Sequence, residues 1–493
     1  MKSLLVLVWS ILLLGELNAQ KAYSALPKYA ASKLKEDAVI LKKVLEANHP
    51  SLYWYSSKLH LDSAFENMMN GITDSLNEIE YRNKIAPWVA LIKCGHTTTL
   101  YSKQFIKQFP KYRYPRFPLQ IKFWEDSAVV LSNGYLKDSI IKRGTIVHSI
   151  NNKPISIYRD SLFKQIATDG YAMNHQYQTL SSIFPDGFKQ VFGVDSSYLI
   201  GYINQAGKHD TISLGNYAPV PRDTSISLAR STQRQTTLSK RQLRLLSIRS
   251  LSIDTITHSA YIRLTSFSKG NLKSFFRRSF KKLKEENIQH LMLDLRENGG
   301  GKITNSIALT KYLKETPFKI ADSVVAFSRK FKHGKYIQSS WMYWLAMNLV
   351  GSKAADGTIH YKRFERHYYQ PKNRFAFKGK TYLVQGGYTF SAATMVVGAL
   401  KGQENIQVVG EESGGGQYGN SAMHIPYITL PNTKLRVRLP LYRMVINQTL
   451  QKGRGIEPDI KIPPSSYAIR VGFDPKMAAI QHIINQQLPN QKR

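Results

Sequence analysis

The sequence predicts an α/β protein: a mostly parallel sheet with helices between its strands, preceded by a small helical segment and a β-rich module. Three observations carry this expectation. From residue 258, strand-length apolar runs alternate with amphipathic ones: "SAYIRLTSF", "LKSFFRRSFKKLKEENI", "HLMLDL", "ITNSIALTKYLKE", "DSVVAFS", "GKTYLVQ" and "IQVVG". Strands separated by helices imply parallel pairing. Ahead of that region, residues about 115–215 alternate at period two, and residues 27 to about 92 repeat at helical period.

The elements follow in order. "KLKEDAVILKKVLEANHP" places Leu34, Ala38, Leu41 and Leu45 at helical spacing, and Pro50 ends the run. "LDSAFENMMNGI" predicts a second helix and "EIEYRNKIAPWVALIK" a third, kinked or broken at Pro87. Together they predict an N-terminal helical domain over 27–100. "FPLQIKFWEDSAVVLS" reads as paired strands around an Asp turn, and "GTIVHSINNKPI" as a strand closed by an Asn-Asn turn. These belong to a β-rich module over 115–215, with a helical insert near 157–182. Residues 216–250, polar, basic and rich in Ser/Thr, read as a linker. The α/β domain spans 255–465, and "MHIPYITLPNTKLRVRLPLYR" reads as a hairpin. An insertion near 329–379 is aromatic and basic; its readings are a lid, a partner surface, a membrane-surface helix, or an excursion packed on the core.

The 493 residues are 42% apolar and 21% charged, which suits two or three globular domains. The net charge of +36 favours anionic partners, but the basic residues are spread along the chain and no nucleic-acid-binding signature is present. The reading is therefore no nucleic-acid partner, with membrane-surface contact left open. "MKSLLVLVWSILLLGELNAQ" has the layout of a secretory signal peptide over 1–19, with removal after Ala19 and an uncleaved anchor as the alternative. No later run reaches membrane-spanning length. One cysteine, Cys94, excludes an intramolecular disulfide, and the whole pattern points to an exported, periplasmic protein.

Three loops carry candidate chemistry. "LDLRENGGG" puts three glycines straight after a buried strand, where free backbone N–H groups can hold an oxyanion; it fits no phosphate-loop pattern, and a simple turn is the plainer reading. "GGYTFSAATM" places Ser391 where a strand gives way to a helix, as an N-cap or as a nucleophile in the positive end of the helix dipole. "KCGHTTT" sets His96 in a turn; with Cys94 it could suggest a cysteine nucleophile or a metal pair, but no further ligands accompany them.

Taken in order, "EDAVILKKVLEANHPSLYWY", "GHTTT", "GTIVHSINNKPI", "YIRLTSF", "LMLDLRENGGG", "YTFSAAT", "VVGEESGGG" and "GRGIEPDI" resemble the S41 peptidases, the carboxyl-terminal-processing and tricorn-core-like serine peptidases. The resemblance runs from about residue 34 to 463. It implies a Clp protease/crotonase-like α/β catalytic core and a PDZ-like module over 115–215, acting on extended polypeptide substrates without metal or organic cofactor. It implies Ser391 as nucleophile, and the amides of Ala392 and of Gly299 or Gly300 as the oxyanion hole. Many of these enzymes pair the serine with a lysine in the loop after the helix; here "GEESGGGQ" has Gly416 at that place. The tricorn-like branch uses an upstream histidine, which His96 matches. For the third residue the resemblance points first to Glu457, then to Asp459, with Glu411 and Glu412 nearby. The reading is thus an exported serine endopeptidase with a Ser-His-carboxylate site. Its rivals are a catalytically silent peptide-binding protein on the same fold, a peptidase with another base, and an anionic-surface binder.

Overall fold

In a computed structural model, residues 26–135, 137–219 and 238–487 are described. The expected signal peptide and residues 220–237 of the expected linker lie outside them. Among the described residues no helix is long and apolar enough to cross a membrane.

The chain opens with β1 (Lys28–Tyr29) and α1 (Ala31–Asn48), then α2 (Lys58–Asn70), β2 (Leu76–Asn77) and α3 (Glu78–Ala90). Leu34, Ala38, Leu41 and Leu45 all point inward from α1, as their spacing predicts. Asn77 and Glu80 form a capping box that starts α3, and the helix runs on through Pro87 to Ala90. The expectation of a separate helical domain does not hold, because these helices have no core of their own. Their apolar faces join one cluster with Ile428, Leu430, Val437, Leu439 and Tyr442 from far along the chain. The buried Asp37 fastens the two, accepting from the Asn432 and Thr433 amides at 2.9 Å each.

After β3 (Thr99–Leu100) and α4 (Lys103–Tyr112) comes the β-rich module. It contains β4 (Leu119–Trp124), β5 (Ser127–Asn133), β6 (Ile146–Ile150), β7 (Lys153–Pro154), α5 (Ile155–Phe163), α6 (Met173–Phe192), β8 (Ser197–Ile203) and β9 (His209–Gly215). The sheet order is β4-β5-β6-β8-β9, all antiparallel. Asn151 and Asn152 both have positive φ, 48° and 60°, which is how an Asn pair closes a two-residue hairpin. The outer edge of β4 is covered by α6: the Phe123 amide donates to Ser181 Oγ at 2.9 Å, and the Gln120 side chain donates to the Ser181 carbonyl.

The last part of the expected linker is ordered. Ser239 and Gln242 form a capping box on α7 (Lys240–Leu246), and β10 (Arg249–Asp254) pairs antiparallel along the whole of β11 (Ser259–Leu264). Then follow α8 (Leu272–Glu285), β12 (His290–Asp294), α9 (Ile303–Leu313), β13 (Ser323–Ala326), α10 (Ser340–Val350), β14 (Ser352–Lys353), β15 (Ile359–His360), α11 (Lys362–Arg366) and β16 (Lys380–Gln385). The chain ends with α12 (Ala392–Leu400), β17 (Ile406–Gly410), β18 (Gly419–Ala422), β19 (Tyr427–Thr429), β20 (Arg436–Arg438), β21 (Tyr442–Val445), β22 (Ile460–Lys461), α13 (Ser466–Val471) and α14 (Pro475–Gln487).

The main sheet runs β10-β11-β12-β16-β17-β22, parallel from β11 onward. Its side chains alternate between two helical layers, as a strand's period of two requires. Leu291, Leu293, Leu383 and Val408 pack with α8, α9 and α12. Met292, Tyr382, Val384 and Val409 pack with Ile480 and Ile484 of α14. "DSVVAFS" is a strand as expected, but β13 joins a second sheet, β14-β15-β13-β21-β18. The expected hairpin forms as β19 and β20, and β20 also pairs β3. That pairing brings the "GHTTT" loop onto the α/β domain.

Candidate active site

Ser391 sits between β16 and α12 with φ 55° and ψ −122°, a conformation side-chain-bearing residues rarely adopt. Its hydroxyl makes no capping bond to the helix, so the N-cap reading is set aside and the oxygen is left free. The glycine loop lies against it. Gly300 has φ 89°, and a Cβ there would stand 2.8 Å from Ser391 Cβ and 2.9 Å from the Ala392 nitrogen. Only glycine allows that approach. The Gly300 amide, however, donates to Asn298 Oδ1 at 2.9 Å. Of the expected oxyanion donors, Gly299 and Ala392 therefore keep amides without a hydrogen-bond partner among the described residues, and Gly300 does not.

His96 is buried, and its ring lies 4.9 Å from that of Phe390, centroid to centroid. Gly95 is required beside it, since a Cβ there would meet Phe390 Cζ at 2.6 Å. Ser391, His96, Gly299, Gly300 and Ala392 all line one cavity of about 660 Å³, together with Arg438, His424 and Met395. No lysine and no carboxylate lines it. Burial, reinforced by the positive charge of Arg438, pushes the His96 imidazole well below its ordinary pKa and keeps it neutral.

The carboxylate nearest His96 is Asp169, from the loop between α5 and α6. Asp169 Oδ1 is 4.0 Å from His96 Nδ1, a nitrogen that is buried with no hydrogen-bond partner. The same Oδ1 accepts the Gly95 amide at 2.8 Å, the Gly416 backbone N–H faces the carboxylate, and Oδ2 is buried without a hydrogen-bond partner among the described residues. Burial outweighs the pull of these two backbone N–H groups and raises the Asp169 carboxyl to about 7. Gly416, where the family resemblance would place a lysine, thus lies against Asp169, and a Cβ there would stand 3.7 Å from Asp169 Cβ. Two backbone bonds clamp the loops: the Gly170 amide to the Lys93 carbonyl at 2.9 Å, and the Tyr171 amide to the Gly453 carbonyl at 2.8 Å.

The other carboxylates lie elsewhere. Glu457 is exposed, and its carbonyl accepts Lys401 Nζ. Asp459 pairs with Lys401 at 2.9 Å and accepts the Val408 amide. Glu411 pairs with Lys476, and Glu412 accepts the Gly455 amide at 2.7 Å. None of the four lines the cavity. Sequence reasoning missed Asp169 because "ATDGY" carries only a turn signal, and its partner is 73 positions away (169 − 96). Cys94 is buried, and desolvation raises its thiol to about 12, which removes it as a nucleophile. Among the described residues no group of His, Cys, Asp and Glu could hold a metal ion.

An α/β core with a strained serine at a strand-to-helix turn, a glycine loop against it and a histidine in the same cavity defines a serine hydrolase of the Clp/crotonase-like class. Residues 258–462, which carry Ser391 and the glycine loop but neither His96 nor Asp169, match the model of peptidase family S41, and that match supports a serine-type peptidase. The fold is similar to that of mature CPAF complexed with lactacystin, with a TM-score of 0.64 at 12% identity over 92% of this chain and 98% of that one. A putative peptidase from Parabacteroides merdae gives a TM-score of 0.45 at 14% identity over 93% and 99% of the two chains. The photosystem II D1 C-terminal processing protease gives 0.38 at 14% over 88% and 93%. No curated protein matches the chain.

Proposed function

We propose that the protein is an exported serine endopeptidase that cuts extended polypeptides through an acyl-enzyme. The observation that carries this is the shared cavity of Ser391 and His96, with the free amides of Gly299 and Ala392 on its wall. Ser391 Oγ attacks the scissile carbonyl while His96 takes the hydroxyl proton. The tetrahedral oxyanion is held by the Gly299 and Ala392 amides. His96 returns the proton to the leaving amine, and water then hydrolyses the ester by the same route. Asp169 replaces Glu457 as the carboxylate that orients His96. Burial keeps His96 neutral and so free to accept a proton, and the ionised Asp169 carboxylate beside it offsets the loss of basicity that burial brings. The leader-like residues 1–19 support export to the periplasm. The module over 115–215, PDZ-like in sequence, acts here as the frame for Asp169, because α6 already occupies the edge of β4 where a peptide strand would add.

Digestion of an unfolded protein and a peptide library, read by mass spectrometry, tests this with the wild type beside Ser391→Ala, His96→Ala and Asp169→Asn. The expected result is cleavage in the wild type alone. Loss confined to Ser391→Ala would assign another base. One observation favours a second reading, a peptide-binding protein without turnover: His96 Nδ1 and Asp169 are 4.0 Å apart and unbonded. Peptide capture without cleavage in the same assay would select it.

A further inference from the structure

The insertion over 329–379 carries α10, whose sequence SWMYWLAMNLV is apolar apart from Ser340 and Asn348, and the Asn348 side chain is engaged by Arg329 and by the Trp344 carbonyl. Its inner face is accounted for. Met347 is buried, and Tyr343 meets His424 edge-on at 5.8 Å, His424 being part of the wall of the Ser391 cavity. Its outer face is not. Trp341, Met342, Trp344, Leu345, Leu349 and Val350 are exposed, Trp341 at 68% and Leu349 at 77%. Trp341, Trp344, Leu345 and Leu349 follow the i, i+3, i+4, i+8 spacing of a face that normally buries itself. Scattered exposed apolar residues are ordinary, whereas a whole helix face of them marks an interaction site.

The surrounding charge identifies the occupant. Residues 323–355 contain no Asp or Glu, but they contain Arg329, Lys330, Lys332, Lys335 and Lys353, in a chain of net charge +36. A second copy of the chain is a poor match, because a two-fold contact would bring these cations face to face. Tryptophans on an apolar face flanked by lysine and arginine suit the interface of a bilayer, with the rings among the headgroups and the cations on lipid phosphates. We propose that α10 docks the protein on an anionic membrane surface. Given the peptidase reading above, this sets the cavity wall at His424 close to the bilayer and makes membrane-associated polypeptides the substrate class.

The test uses the full chain as Ser391→Ala, so that binding is read without catalysis and stands or falls apart from the peptidase reading. Vesicles of phosphatidylglycerol and phosphatidylcholine brominated in the acyl chains should quench tryptophan fluorescence. Most of the quenching should vanish in the Trp341→Phe/Trp344→Phe variant, which should still float with vesicles. Trp341→Ser/Leu345→Ser/Leu349→Ser should bind at least about tenfold more weakly. Lys330→Glu/Lys332→Glu/Lys335→Glu, which leaves the apolar face intact, should lose about fivefold per charge. Equal quenching in the parent and the Phe variant would overturn the proposal. So would binding that neither the serine nor the glutamate variant weakens. Absence of vesicle binding, together with a concentration-dependent dimer that the serine variant abolishes, would overturn it in favour of self-association.

Discussion

The two halves of the candidate site are built differently. The nucleophile half belongs to the parallel sheet: Ser391 follows β16, the glycine loop follows β12, and these strands are neighbours with every residue from His290 to Asp294 paired. The base half hangs on loops. His96 precedes the two-residue β3, Asp169 lies between helices, and the two meet only through backbone clamps and a shared glycine amide. The first half is held within hydrogen-bond tolerance, while the second leaves a 4.0 Å gap between His96 and Asp169. A sheet fixes residues from neighbouring strands to a fraction of an ångström, whereas loops from distant parts of the chain meet only as well as their clamps allow.

Breaking the rigid half should have the largest effect. Ser391→Ala should lower kcat by about 10⁴-fold or more, with His96→Ala close behind, as measured on one peptide taken from the library digest. Asp169→Asn should cost about 10³–10⁴-fold by presenting the wrong imidazole tautomer, while Glu457→Gln should stay within about twofold. The reverse pattern would return the third role to Glu457. Gly300→Ala should cost about 10²–10³-fold at nearly constant KM, because the added methyl would press on the Ser391 and Ala392 backbone beside the free amides.

The loose half should show itself in pH dependence. With the Asp169 carboxyl near 7, kcat/KM should rise with pH through that value as the carboxylate forms beside His96. A flat profile from pH 5 to 8 would remove Asp169 from the reaction. The same shift affects stability. Its folded pKa lies above the ordinary carboxyl value, so the folded state holds the proton more tightly, and the resulting stabilisation is lost as pH rises through about 7. Asp169→Asn cannot ionise. It should therefore be more stable than the wild type at pH 8, by up to about 4 kcal/mol, and melt at a higher temperature, with the difference shrinking toward pH 4. A variant that melts lower at pH 8 would mean the carboxylate is better solvated than its burial implies.

The same division explains what the sequence disclosed. Ser391 and the glycine loop were legible because strand, turn and helix are local patterns, and the order of β11, α8, β12, α9 and β16 follows from alternating periods. The two-asparagine hairpin after β6 was legible for the same reason. Asp169 was not: nothing in "ATDGY" encodes a partner in "CGHTTT". Glu457 drew attention through the "GRGIEPDI" resemblance, and in the fold its carbonyl accepts from Lys401. The helical lead-in was correctly drawn but wrongly separated, because the β19–β21 face it covers lies nearly 400 residues downstream, as with Asp37 and Asn432. Linear patterns report a segment's shape, and they are silent about what that segment will cover.

The clamps at Lys93, Gly170 and Gly453 also carry a consequence for timing. Residues from the start, middle and end of the chain must meet before His96 faces Ser391, so no emerging fragment holds a working site. Until the last strands are in place, the cavity that joins His96 to Ser391 is unformed, and a newly made molecule carries only the separate parts of its candidate site.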